Sequence, residues 1–199
     1  MVIHGFQKLT LLDYPGKVAC TLFSGGCNFR CPFCQNGNLV QHPEWEPVIP
    51  EEEIFAVLEK RRGVLDGVCV TGGEPTLDPD LERFVTKIKE LGYLVKLDTN
   101  GYRPEILKKL VEEKKIDYVA MDIKNAPSRY GETAGVKKID VMRINESVEF
   151  LKSGVVDYEF RTTLCQRAAW KGRDRSDRKV AFRGKTVLPA ELPGIGLCD

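Results

Sequence analysis

The chain has 199 residues, 42% of them hydrophobic and 30% charged, with a formal net charge of +1. Those values fit a soluble globular protein of one domain, or one domain with an appendage. The near-neutral balance argues against a globally basic nucleic-acid binder or an anionic-membrane binder, and no apolar run approaches a membrane span. Residues 1–4 lack the basic and apolar regions of a signal peptide, so the cytoplasm is the expected compartment. A disulfide framework fits poorly, because seven cysteines is an odd number and a chain of this length buries a core without staples.

In chain order, residues 18–23 form an apolar strand-like run, followed by Gly25 and Gly26 and then a loop carrying Cys27, Cys31 and Cys34. Residues 51–62 read as a helix with Ile54, Phe55, Val57 and Leu58 as its apolar stripe. Residues 67–71 are a second strand, and a helix from Pro79 or Asp80 to Glu90 places Leu81, Phe84, Val85 and Ile88 on one face. A strand at 93–97 is followed by a helix at 104–113, with Pro104 in its first turn, where a missing N–H costs little. Strands at 118–123 and 158–163 flank a last helix at 145–152. Strands separated by helices imply βαβ units and a parallel α/β sheet. The chemically informative residues fall repeatedly at strand C-terminal ends, the catalytic face of a parallel α/β barrel.

The spacing C-x3-C-x2-C is the sharpest signal. Three thiolates hold three irons of a four-iron, four-sulfur cluster and leave the fourth iron open for a substrate or cofactor atom, whereas electron-transfer clusters take four cysteines. A zinc knuckle is the plainer alternative, with His4 or His42 as fourth ligand, but structural zinc usually uses paired cysteines or histidines. Cys20 and Cys69 lie inside strand-like runs and read as small buried apolar residues. The run Thr71, Gly72, Gly73, Glu74 and Pro75 closes the second strand. Paired glycines allow close backbone approach to a ligand, and a carboxylate accepts from an ammonium group; the same residues also make a good turn. The run Asp98–Gly101 equally suits a strand-to-helix turn, Lys124 a solvated surface charge, and Trp45 loop packing.

The cysteine loop followed by Gly72-Gly73-Glu74 resembles the radical S-adenosylmethionine (SAM) superfamily, in which the open iron chelates the amino nitrogen and carboxylate of SAM. Residues 5–17 and 26–36, with Leu97–Gly101, Ala120–Lys124 and Phe160–Thr163, resemble the glycyl-radical-activating enzymes, most closely the anaerobic ribonucleotide reductase activating type. The likeness runs from about residue 3 to residue 164. It implies a partial, open parallel β/α barrel, with Cys27, Cys31 and Cys34 as cluster ligands and Phe33 packed beside the adenine. It places Gly72, Gly73 and Glu74 at the SAM amino group, and Asp98, Asn100, Asp122 and Lys124 at the ribose or methionyl end. Asp98 and Thr99 would also help hold a monovalent cation, and Asp13 would lie near a partner's glycine loop. The implied cofactors are a [4Fe-4S] cluster and SAM; the implied partners are a glycyl radical enzyme and a flavodoxin- or ferredoxin-type electron donor. In the implied reaction one electron from the reduced cluster cleaves SAM to methionine and a 5′-deoxyadenosyl radical, which abstracts a hydrogen atom from a backbone glycine. Pyruvate formate-lyase as partner, a small-molecule radical SAM reaction such as carboxy-deazaguanine synthesis, a non-catalytic metal module and an inactive truncated product are the alternatives.

After Thr163 the pattern changes. Residues 165–199 show neither a helical stripe nor clean strand alternation, and a basic run at 167–179 holds one aromatic, Trp170, too little to argue for nucleic acid. The expectation is a barrel domain over residues 1–164, lacking its last strand and leaving a sheet edge open, followed by an atypical tail, disordered or frameshifted. A reading frame shifted by one base over 166–193 is compatible with an amphipathic helix and a β-like run, and the gene's DNA would test it.

Overall fold

In a computed structural model the described residues are 1–164 and 178–183. They form one seven-stranded sheet with its strands in sequence order. The strands are β1 (Ile3–Thr10), β2 (Ala19–Ser24), β3 (Gly67–Gly72), β4 (Leu94–Thr99), β5 (Tyr118–Asp122), β6 (Asp157–Leu164) and β7 (Arg178–Arg183). Strands β2 to β6 are mutually parallel, and the two edges, β1 on β2 and β7 on β6, are antiparallel. The linear order leaves the sheet unclosed among the described residues. Helices α1 (Gly37–Gln41), α2 (Glu51–Lys60), α3 (Leu81–Glu90), α4 (Pro104–Glu112), α5 (Tyr130–Thr133) and α6 (Val141–Lys152) fill the connections.

Alternation along the strands separates two environments, because successive side chains leave opposite faces of a sheet. Leu22, Val68, Val70, Val95, Leu97, Val119, Met121 and Phe160 join Ile54, Leu58, Phe84, Ile88, Leu107, Ile144 and Leu151 in a single apolar core. Their neighbours Thr21, Cys69, Lys96, Asp98, Asp122, Glu159 and Arg161 therefore project from the opposite face, away from the helices. Cys20 belongs to the core, whereas Cys69 faces the polar side, with its sulfur 3.6 Å from Asp98 Oδ1. Tyr14 is 4% exposed and covers the lower end of that polar face, its ring 5.8 Å from that of Tyr118.

The five parallel strands lie where hydrophobic patterning places them. Strand β1 is one that patterning misses: register shifts between Ile3 and Gly5 and between Gln7 and Thr10 break the regular alternation. Helix α6 begins earlier than its stripe suggests, at Val141, because the Asp140 side chain accepts from the Met142 N–H at 3.1 Å. The expectation of an open edge after β6 is corrected by β7, paired from Glu159↔Arg183 to Leu164↔Arg178. An antiparallel strand satisfies the edge N–H and C=O groups as fully as a parallel one, without needing a crossover helix. Apart from β7, the basic run and the segment of the frameshift reading lie outside the described residues. Among the described residues, no helix is long and apolar enough to cross a membrane.

Phe84 is fully buried on α3 and meets the Phe55 ring of α2 edge-on at 5.5 Å. Phe84→Ala is expected to lower stability by about 3–5 kcal/mol, and a loss below about 1 kcal/mol in urea unfolding would place this contact outside the core.

Candidate active site

The C-terminal ends of β2 to β6 open into one cleft enclosing about 750 Å³ of atom-free space, open solvent at its mouth included. Cys27, Cys31, Phe33 and Cys34 form one wall. Gly72, Gly73 and Glu74 follow from β3, Asp98 and Asn100 from β4, and Asp122 and Lys124 from β5. The structure thus brings the residues expected at the cluster and SAM to the lining of one cleft. Arg161 and Thr163 of β6 complete the lining, and neither carries a role in the sequence reading. Asp13 lies apart from this lining, its carboxylate accepting from the Thr21 hydroxyl at 2.6 Å.

The glycines of the β3 exit serve chain packing. A Cβ at Gly73 would sit 1.8 Å from the Gly26 carbonyl oxygen, and one at Gly72, where φ is +120°, would sit 2.3 Å from the Ser24 backbone. The Glu74 N–H donates to the Gly26 carbonyl at 2.8 Å, and the Asn36 side chain donates to the Gly72 carbonyl at 2.9 Å. On the far side the Arg30 N–H donates to the Ala134 carbonyl at 2.8 Å, and Gly135, at φ +68°, leaves room for the Arg30 carbonyl. The cysteine loop is therefore held between β3 and α5 by backbone contacts that a side chain would block.

Glu74 is 1% exposed. Its Oε1 accepts from the Thr76 N–H and hydroxyl and from the Thr99 hydroxyl at 2.7 Å, and its Oε2 accepts from the Asn100 N–H at 2.7 Å. Burial raises its pKa, while these donors pull it back. With three donors on Oε1 and one on Oε2, the carboxylate joins the ends of β3 and β4. The Asn100 side chain reaches the cysteine loop, 2.8 Å from Asn28 Oδ1 and 3.8 Å from Cys27 Sγ.

The cleft floor is ionic. Asp98 Oδ1 pairs with Lys96, a fully buried lysine, and Asp98 Oδ2 with Arg161 at 2.9 Å. Arg161 also reaches Asp122 Oδ1 at 3.0 Å, and Lys124 reaches Asp122 Oδ2 at 3.0 Å. Both oxygens of Asp98 thus have cationic partners, while the Thr99 hydroxyl is taken by Glu74. Burial opposes ionisation of Asp98, yet Arg161 and Lys96 hold its pKa below the ordinary aspartate value. Burial likewise opposes the charged Lys124, but Asp122 raises its pKa. Lys96 lies outside the motifs, and Arg161 lies within the Phe160–Thr163 segment of the resemblance without a role, yet both carry a sequence signal. Each stands two residues from another charge on the same strand face, as in Lys96/Asp98 and Glu159/Arg161.

The donor set fits an iron–sulfur cluster better than a zinc knuckle. Among the described residues, no three His, Cys, Asp or Glu side chains group closely enough for one metal ion. His42 stacks on Trp45 at 3.8 Å, and His4 lies against the Glu46 carbonyl at 3.3 Å, so each histidine has a partner away from the cysteines. Burial pushes the Cys27 thiol up to about 11 and raises Cys31, so both stay protonated near neutrality until iron displaces the proton. Beside the thiols, an apolar wall of Phe33 and Val40 suits a purine, and the Asp122–Lys124 pair suits a zwitterionic chain. A sequence model of the Radical SAM superfamily matches residues 21–163.

The chain belongs to the radical SAM superfamily.

Members of this superfamily use a [4Fe-4S] cluster and SAM, and the chain is a radical SAM enzyme. It is 34% identical over 202 residues to a Methanocaldococcus jannaschii protein provisionally named glycyl-radical enzyme activating enzyme MJ1227. The match covers 98% of this chain and 78% of that protein, and so extends past Leu164. A pyruvate formate-lyase-activating enzyme of Staphylococcus aureus is 34% identical over 104 residues, covering 50% of this chain and 41% of its own. Some curated relatives are thus matched over less than half their length. The fold is shared with Streptococcus suis SuiB bound to precursor peptide SuiA, at a TM-score of 0.52 and 20% identity, over 69% of this chain and 30% of that one. It is also shared with anSMEcpe with bound AdoMet, at a TM-score of 0.51 and 21% identity, over 69% and 41%.

Two substitutions test how this radical SAM enzyme builds its cleft. Gly73→Ala is expected to cost about 1–3 kcal/mol and to lower the iron taken up on anaerobic reconstitution; wild-type iron content would show that the Gly26–Gly73 approach does not set the loop. Lys96→Met is expected to cost ~3–5 kcal/mol at pH 7, because it strips a cation from buried Asp98 and Glu159. In the wild type, the low pKa of Asp98 supports the fold at neutral pH and ceases to do so as pH falls through it. In the variant the Asp98 pKa rises, so the deficit should shrink as pH falls from neutrality through the variant's Asp98 pKa toward the lower wild-type value. A pH-independent deficit in urea midpoints would refute the electrostatic account.

Proposed function

We propose that the enzyme reductively cleaves SAM to install a glycyl radical on a partner enzyme. Anaerobic ribonucleotide reductase is the proposed partner, and a flavodoxin- or ferredoxin-type protein the proposed electron donor. The carrying observation is a single cleft in which Cys27, Cys31 and Cys34 face the charged ends of β3 to β6, on a sheet that does not close into a barrel among the described residues. An open sheet leaves room for a loop of another protein, and the likeness to a relative named for glycyl-radical enzyme activation supports the same reading.

In this reading Cys27, Cys31 and Cys34 hold the cluster, and Gly72, Gly73 and Glu74 receive the SAM amino group. Phe33 supplies the apolar face for adenine. Asp98 and Asn100 border the ribose, and Lys124, braced by Asp122, meets the carboxylate end. When bound, the cluster and SAM supply one-electron cleavage of the sulfonium C5′–S bond and removal of a hydrogen atom from the target. The protein aligns these groups and excludes water: Tyr14 closes the lower end of the polar face, and Arg161 fixes Asp98 and Asp122 relative to one another. Selectivity rests on proximity. A backbone glycine has no side chain to obstruct approach, and its radical is stabilised by both flanking amides.

The test is anaerobic reconstitution followed by electron paramagnetic resonance with and without SAM, then turnover with a partner-derived peptide carrying dideuterated glycine. The expected results are a four-iron signal that changes on adding SAM, deuterium in the 5′-deoxyadenosine formed, and loss of both in Cys31→Ala. SAM cleavage with no deuterium transfer from the peptide or from the intact reductase would overturn the protein substrate and favour a small molecule. A cluster indifferent to SAM would overturn the reading altogether.

A further inference from the structure

Asn100 sits at a junction that its place in the cleft lining does not explain. It is 5% exposed, and its groups engage three separate segments. Its backbone N–H donates to Glu74 Oε2 at 2.7 Å, its Oδ1 accepts from the Tyr102 N–H at 3.0 Å, and its Nδ2 lies 2.8 Å from Asn28 Oδ1 and 3.8 Å from Cys27 Sγ. The backbone N–H of Tyr102 can only donate, so the carboxamide oxygen must face it and the NH2 must face the cysteine. A second donor, the Phe29 N–H, lies 3.3 Å from the same sulfur. Among the described residues, the N–H···S contacts of the loop therefore converge on Cys27.

A sulfur that ligates an iron–sulfur cluster gains negative charge when the cluster is reduced. A donor aimed at it stabilises the reduced state more than the oxidised one, and hydrogen bonds to the sulfurs are among the factors that set cluster potentials. We propose that Asn100 is a positioning residue for the cluster. Its carboxamide, oriented by Tyr102 and anchored through Glu74, donates to the Cys27 sulfur and raises the potential at which the cluster accepts an electron. The inference rests on the reading of Cys27, Cys31 and Cys34 as cluster ligands. It assigns Glu74 an indirect part, as the anchor of the residue that touches the cysteine.

The experiment is a redox titration of the full chain, anaerobically reconstituted and followed by electron paramagnetic resonance, for the wild type, Asn100→Ala and Asn100→Asp. Iron and sulfide are counted per chain. Asn100→Asp keeps the acceptor for Tyr102 and loses the donor for Cys27 while adding a negative charge, and Asn100→Ala removes the donor without a charge, so the shift common to both variants reports the hydrogen bond. Both variants are expected to hold a full cluster and to show at least a tenfold lower reduced-to-oxidised ratio at a fixed potential, a downward shift of about 59 mV for one electron. Full loading with an unchanged midpoint would overturn the proposal. Should the variants fail to load, the wild type labelled with side-chain ¹⁵N-asparagine decides: electron–nuclear double resonance is expected to show a ¹⁵N coupling to the reduced cluster, and its absence overturns the proposal. A wild type with no SAM-responsive four-iron cluster removes the underlying reading too, whereas a normal wild type with matching variants removes this proposal alone.

Discussion

The buried carboxylate of Glu74 is the constraint on which the geometry of the cleft depends. A carboxylate taken out of water is tolerated only where donors replace its hydration. Here they come from Thr76 immediately downstream and from Thr99 and Asn100 at the end of the next strand. Satisfying one buried charge therefore locks the exits of β3 and β4 to each other. The same residue's N–H donates to the Gly26 carbonyl, which ties that pair to the entrance of the cysteine loop. Three loops distant in sequence become one rim because the side chain and backbone of a single residue bond to all of them.

Below that rim the sheet solves a second electrostatic problem. Parallel strands in α/β proteins are usually covered on both faces and apolar throughout. In this protein the face away from the helices carries Lys96, Asp98, Asp122, Glu159 and Arg161, and the charges meet in alternating sign rather than facing solvent singly. Desolvation would neutralise an isolated member of this group. Shared partners keep Asp98 ionised and keep Arg161 and Lys124 charged. A fixed array of opposite charges is suited to a zwitterionic cofactor, since its orientation requires no reorganisation when the ligand arrives. A network of this kind adds little net stability, and its worth lies in the geometry that it enforces.

Much of the fold was legible in the chain. Five runs of β-rich apolar residues separated by helical stripes specify a parallel sheet, and the positions of Leu81, Phe84, Val85 and Ile88 predict the buried face of α3. Legibility failed at the edges. Strand β1 is irregular in register, and β7 has a basic, weakly alternating sequence, so both owe their conformation to hydrogen bonds offered by an existing neighbour. The packing role of Gly73 is invisible along the chain for a related reason: what presses on it is the Gly26 carbonyl from a segment far away in sequence.

The sequence by itself determined which chemistry is available. The spacing of Cys27, Cys31 and Cys34 is local, and three thiols within one short loop restrict the metal group whatever the surroundings. The period-two placement of charges beside apolar residues likewise determined that one sheet face is polar. Only the tertiary structure decided what each polar group does. Glu74 and Asn100 become an anchor and a donor, and Asp98 becomes the partner of Lys96 and Arg161, because strands β3 to β6 lie side by side. Hydrogen bonds and ion pairs act over a few ångströms of space irrespective of separation along the chain, so pairings between loops arise only once the sheet has brought the loops together.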